Sequence, residues 1–229
     1  MEKLQVELRE AGYPDRSAVV SDVAFTVREG EWVGLIGPNG AGKSTTIKAI
    51  LGLLGKREGT VVFSGPYSYI PEHPVLYEHL TLWEHLELAA AVWELEPEAF
   101  RADAERLLAR FRLTEVRHHL PGSFSKGMQQ KIMLLVAFLQ KPDVYIVDEP
   151  FIGLDPRAVQ DLIELLEEER QRGAGILMST HVLDTAERLC DTFLLLDKGR
   201  LVAQGTMDEL RLSSGLPGAS LFDCFLKLT

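Results

Sequence analysis

Two stretches of this sequence carry residue types, at spacings, that can do chemistry on a phosphate. Residues 37–44 read GPNGAGKS, which fits GxxxxGK followed by serine or threonine. In the loop Gly37, Pro38, Asn39, Gly40, Ala41 and Gly42, the glycines let the backbone curl until successive N–H groups converge on an anion. Lys43 can reach terminal phosphates and the Ser44 hydroxyl can ligate Mg²⁺. Thr45 continues into a helix whose N-terminal dipole favours the same anion. Residues 144–149 read VYIVDE, a buried apolar run ending in carboxylates. Beside such a loop, Asp148 would hold Mg²⁺, directly or through water, and Glu149 would polarise an attacking water. The pair points to a nucleoside triphosphate. Taken singly, each stretch also reads as a chance glycine-rich turn or an acidic strand end.

Secondary-structure elements must hold these residues in place. Residues 32–36, 144–147 and 176–179 are short apolar runs of buried-strand type. The glycine-rich loop lies between the first of them and a helical stretch over 43–54. Further strands are expected at 4–8, 19–27, 60–63 and 67–70, with Glu29-Gly30 as a turn. From 74 to 111 the pattern turns helical, with Leu82, Leu86, Ala89 and Trp93 on one face. Pro97 divides that stretch and opens a second helix. Helices are also expected at 125–140, 156–172 and 184–190. Residues 193–196 and 201–204 flank Asp197-Lys198-Gly199-Arg200, a hairpin turn, and 219–228 reads as an amphipathic helix. Strands thus flank a helical middle, so the expected class is α/β. A single domain would comprise a core of about 1–72 and 140–212, a helical insertion at about 73–139 and a tail at 213–229. Inner strands should lie parallel, and outer ones should form antiparallel hairpins.

Composition narrows the function. The chain has 229 residues, 46% of them hydrophobic, and a net charge of −10. That suits a globular protein with a sizeable core. The acidic balance argues against nucleic-acid binding, which needs a basic face. The longest apolar run, 132–139, is far short of the ~20 residues that cross a bilayer. The start, MEKLQVELRE, lacks an apolar core of signal-peptide type, so a cytoplasmic location is expected. Cys190 and Cys224 read as small buried apolar groups. The six histidines, His118 and His119 among them, show no zinc-ligand spacing, and no structural metal is expected.

Between the two phosphate motifs lies a third signal. Residues 124–131, FSKGMQQK, resemble the LSGGQ signature of the ATP-binding subunits of ABC transporters, and the order and spacing from 4 to 205 are similar to that family. Ser125 and Gly127 match, while Phe124, Lys126 and Met128 depart from the common leucine, glycine and glutamine. The resemblance implies a P-loop NTPase core with an antiparallel β subdomain and an inserted helical subdomain. It also implies a bacterial-type ATPase that uses ATP and Mg²⁺. Ser125 caps a helix whose N-terminus can bind an anion. By resemblance it faces the γ-phosphate held by a second subunit, so that two chains, as a homodimer, sandwich two ATP molecules head to tail. Asp155, in Gly153-Leu154-Asp155, resembles the loop that crosses that interface. Tyr13 stands where the family stacks an aromatic on adenine, and also reads as a plain loop tyrosine. His181 stands at the place of a histidine that bonds the γ-phosphate. Glu72 replaces the usual glutamine of the loop entering the helical insertion. Its carboxylate would ligate Mg²⁺ or turn to solvent.

The implied partner is an integral-membrane permease on a separate polypeptide, docked by the helical insertion and the loop around 71–82. The subunit would then sit on the inner face of the membrane through that permease. The segments HPVLYEHLTLWEHL and SLFDCFLKLT resemble export-type subunits, including the Ecs-type bacterial transporters. Rival readings are a soluble ABC-type ATPase of translation or DNA maintenance, a P-loop kinase or GTPase, and a nucleotide-binding module without hydrolysis. No NKxD-like guanine loop is present.

Overall fold

Five-residue apolar runs bounded by turn residues become strands covered on both faces, and these build the frame of the site. The computed structural model describes residues 1–13 and 19–229. It divides into two units. The first comprises Met1–Tyr67, Asp143–Glu149 and Arg170–Thr229, and the second Ser68–Pro142 and Pro150–Glu169.

In the first unit, β1 (Glu2–Gly12), β2 (Val20–Arg28) and β4 (Lys56–Phe63) form an antiparallel sheet in the order β2-β1-β4. Burial alternates along β1, with Leu4, Val6 and Leu8 inward, as one solvated face requires. A larger sheet carries β6 (Val144–Asp148), β7 (Gly175–Thr180), β3 (Trp32–Ile36), β8 (Thr192–Asp197) and β9 (Arg200–Gly205) in that order. The first four run parallel, and β9 closes a hairpin antiparallel to β8. Every residue of β3, β6 and β7 is buried, which is the burial a parallel interior strand has.

The register aligns the C-terminal ends of these strands. Ile36 pairs with Thr180, and Asp148 with Ser179. The chain segments leaving β3, β6 and β7 therefore emerge along one edge, where open α/β sheets hold ligands. Helix α1 (Lys43–Ile50) follows β3 directly. It stops at Ile50, short of residue 54, because Gly52 takes a left-handed φ of 72° past its end. Cys190 and Cys224 are both free and buried, and burial pushes the Cys190 thiol upward.

Strand β5 (Tyr67–Ile70) leads the chain from the first unit into the second. There α2 (Leu82–Val92), α3 (Pro97–Phe111) and α4 (Lys126–Leu139) bury Leu86, Phe100, Leu107, Phe111, Leu135 and Phe138. Helix α5 (Pro156–Gln171) is tied to α3 by Arg110, which bonds Glu164 at 2.9 Å and Glu168 at 2.6 Å. Helix α2 begins at Leu82 and not at 74. Thr81 and Glu84 form a reciprocal capping box, and that box sets the start. Back in the first unit, α6 (Leu183–Leu189), α7 (Met207–Ser214) and α8 (Leu221–Leu228) complete the chain. Helix α7 is not expected from the periodicity. It is fixed by a second capping box, Thr206 with Glu209, and by Gly215 at φ 70°.

Candidate nucleotide-binding site

The glycine-rich loop owes its shape to backbone that other residues cannot adopt. Gly40 and Gly42 have φ of 83° and 107°. A Cβ on Gly37 would lie 2.4 Å from the Leu196 carbonyl oxygen of β8. The turn between β8 and β9 props the loop from the other side, where the Gly199 N–H donates to the Ala41 carbonyl at 2.8 Å. Pro38, Asn39 and Gly40 are exposed, while Ala41, Gly42, Lys43 and Thr45 are buried and Ser44 is half-buried. Among the described residues no side chain caps α1, so its N-terminal dipole faces the loop without a competing side chain.

Around that loop the first unit gathers five expected residues. The Lys43 ammonium donates to the Gly37 carbonyl at 2.8 Å and lies 3.2 Å from Glu149 Oε1. The Ser44 hydroxyl is 3.4 Å from Asp148 Oδ1. His181 Nδ1 lies 2.9 Å from Glu149 Oε2. Among the described residues, buried Glu149 Oε1 has no hydrogen-bond partner, the ammonium being near it but outside bonding geometry. Glu149 also takes a left-handed φ of 48°, unusual for a side chain of its size. Tyr13 follows β1 and is exposed; residues 14–18, which follow it, lie outside the described residues.

The second unit holds the other expected residues. Ser125 caps α4, its Oγ accepting from the Met128 N–H at 3.3 Å. A Cβ on Gly127 would meet the Gly153 carbonyl oxygen at 2.5 Å, so the signature helix and the loop before α5 pack backbone on backbone. Asp155 bonds on both oxygens: Oδ1 accepts from the Ala158 N–H at 2.9 Å and Oδ2 from Lys131 Nζ at 2.8 Å. The bond from Lys131, with that from Ala158 next, holds its carboxyl down to about 2, so it stays ionised throughout the neutral range. Glu72 is half-exposed, with His73 at 3.9 Å. Phe124 is buried and faces the His119 ring, while Lys126 is exposed; the bulk of the usual leucine is thus kept and the first glycine position of the signature is open to solvent.

Gly127→Ala is expected to destabilise the protein by about 1–3 kcal/mol, because backbone on both sides must give way. That corresponds to a melting-temperature drop of roughly 2–12 °C. Thermal unfolding by circular dichroism reads it directly, and an unchanged midpoint would mean that the contact relaxes without cost.

Two side chains outside the sequence expectations join these groups. Ser179, fully buried at the end of β7, donates to Asp148 Oδ1 and accepts from the Glu149 N–H. Gln130, buried on α4, donates to the Pro71 carbonyl at 2.9 Å. No local pattern marks either residue; strand register selects the first and helix phase the second.

The curled backbone, an uncapped helix start, an ammonium, a hydroxyl beside a carboxylate, and a buried carboxylate oxygen lacking a donor together fit a magnesium-bound triphosphate. The family model described as ABC transporter matches residues 20–152. The uncharacterized ABC transporter ATP-binding protein YthP of Bacillus subtilis (strain 168) is 53% identical over 98% of this chain and 95% of its own length. This chain belongs to the ATP-binding proteins of ABC transporters. A second relative of this family, the ABC-type transporter ATP-binding protein EcsA of the same organism, is 46% identical over 100% of this chain and 97% of its own. A solved ATP-binding subunit of an ABC transporter superimposes with a TM-score of 0.94 at 47% identity, covering 99% of each chain. The ABC fold, a P-loop NTPase core with an antiparallel β subdomain, is therefore the fold of this protein. ATP binding and ATPase activity follow from the family. Among the described residues, no helix of this ABC protein is long and apolar enough to cross a membrane.

Proposed function

We propose that this ABC protein hydrolyses MgATP to drive a separate membrane permease, in the export direction, from the cytoplasmic face. The observation that carries the hydrolytic reading is the division of labour on Glu149. Its Oε2 is engaged by His181 Nδ1, while its buried Oε1 has no hydrogen-bond donor. A buried carboxylate oxygen that is ion-paired to Lys43 but receives no hydrogen bond is placed to accept a proton from water. His181 then has Nε2 available for the γ-phosphate.

The rest of the assignment follows the same groups. Backbone N–H groups among residues 39–45 cradle the phosphates, and Lys43 opposes their charge. Ser44 and Asp148 would hold Mg²⁺. When bound, the ion neutralises charge on the phosphoryl oxygens. Tyr13 stacks on adenine. Ser125, Gly127 and Asp155 face the nucleotide of a second copy, so the active form is a sandwich homodimer. Support for the permease comes from an apolar groove of about 220 Å³ in the second unit, where Val75, Tyr77, Leu88 and Val92 are exposed. The export direction rests on the likeness of HPVLYEHLTLWEHL and SLFDCFLKLT to export-type subunits.

Co-expression with a candidate multi-span permease, chosen from the genes that flank this one, provides the test. The expected result is recovery of the chain with the membrane fraction, and phosphate release that requires Mg²⁺ and changes when the permease is present. Sedimentation with ribosomes, and no membrane recovery, would favour the soluble ABC-type ATPase instead.

A further inference from the structure

A buried serine hydroxyl has one proton to give and two lone pairs to offer, and at Ser179 two neighbouring acids use both. Its Oγ–H donates to Asp148 Oδ1, the same oxygen that lies 3.4 Å from the Ser44 hydroxyl. Its lone pair accepts the Glu149 N–H at 3.1 Å, and that N–H also lies 3.1 Å from the Ser179 carbonyl. The second bond matters because Glu149 holds a left-handed φ of 48°. A long side chain keeps such a backbone only where its surroundings over-determine it. The parallel register, Asp148 opposite Ser179, brings the serine to this place, and its side chain is completely buried.

We infer that Ser179 is a positioning residue for hydrolysis: through one hydroxyl it sets the carboxylate of Asp148 and the backbone of Glu149 together. The inference rests on the proposed roles of those two acids. It goes beyond them in making the metal-holding oxygen and the water-facing carboxylate depend on a single side chain of the next strand. A small hydroxyl is required. Alanine lacks both bonds, and cysteine fills the space with a weak donor.

The test uses the full chain with Ser179→Ala, Ser179→Thr and Ser179→Cys. For Ser179→Ala, kcat is expected to fall about 10–100-fold, the range seen when a residue orienting a metal-holding group is removed. KM for ATP at saturating Mg²⁺ should move much less. Independently of turnover, the Mg²⁺ needed for half-maximal binding of a fluorescent ATP analogue should rise several-fold. Ser179→Thr should restore both, since its hydroxyl can take the same bonds. A packing role alone would lower the melting temperature and leave the Mg²⁺ half-saturation unmoved.

A folded Ser179→Ala with the parental Mg²⁺ half-saturation and kcat overturns the inference. So does a folded Ser179→Thr that loses as much as Ser179→Ala. If alanine prevents folding, Ser179→Cys is read by the same criteria. The unsubstituted protein, assayed alongside, separates this inference from the reading beneath it: where it hydrolyses ATP with Mg²⁺ dependence, a negative result falls on Ser179 alone.

Discussion

Lys43→Ala is expected to lower ATP affinity about 10–100-fold and to reduce turnover by a further 10²–10³-fold, roughly. The first figure is the worth of a charge-assisted hydrogen bond, about 1.5–3 kcal/mol. The second is the usual loss when a fixed donor to a developing negative charge is removed, about 2.7–4 kcal/mol. The structure gives the ammonium a narrow setting. It is 6% exposed, donates to the Gly37 carbonyl at 2.8 Å, and has Glu149 Oε1 at 3.2 Å. Alanine therefore also leaves Glu149 buried without its cation, and breaking such a pair costs about 3–5 kcal/mol. The variant should melt earlier even without nucleotide. Titration with a fluorescent ATP analogue, phosphate release and a melting curve separate the three effects. Parental affinity and turnover in a folded Lys43→Ala would sink the role given to the phosphate-binding loop.

Much of this site was legible because its chemistry follows strands. The apolar runs ending at Ile36, Val147 and Ser179 each give way to a loop or carboxylate, and in a parallel sheet such ends line up. What the sequence concealed lies in pairings between strands and in capping. Ser179 read as the last residue of a buried strand, because nothing local tells which strand lies beside it. The helical periodicity through Leu82, Leu86, Ala89 and Trp93 is real, yet it could not fix where the helix begins. Pro74 looked like a start, whereas the Thr81–Glu84 box supplies it. The same threonine–glutamate spacing at Thr206 and Glu209 opens α7, whose short length left too little periodicity to notice. The departures in FSKGMQQK became intelligible only with packing. Phe124 still fills a buried position, and Lys131 at the far end of the motif bonds Asp155.

Glu149→Gln is expected to keep ATP binding and to slow hydrolysis by roughly 10²–10⁴-fold, the range for losing a positioned general base. Glutamine preserves the shape and can still meet His181 Nδ1, which lies 2.9 Å from Oε2 in the parent. It cannot take up a proton at the position of Oε1, the buried oxygen that has no donor. It also removes the negative charge 3.2 Å from Lys43, freeing the ammonium for the phosphates. Affinity for ATP should accordingly hold or improve while turnover falls, a split that damage to the phosphate-binding loop would not produce. If two chains sandwich the nucleotide, ATP that is not hydrolysed holds them together, and dimers should accumulate. A net charge of −10 on each chain opposes that association at low salt. Light scattering with MgATP should therefore show a dimer fraction that grows with ionic strength. Hydrolysis within a few-fold of the parent would remove Glu149 as the base. A strict monomer across that salt range, in a variant saturated with ATP, would instead require the permease to bring the two subunits together.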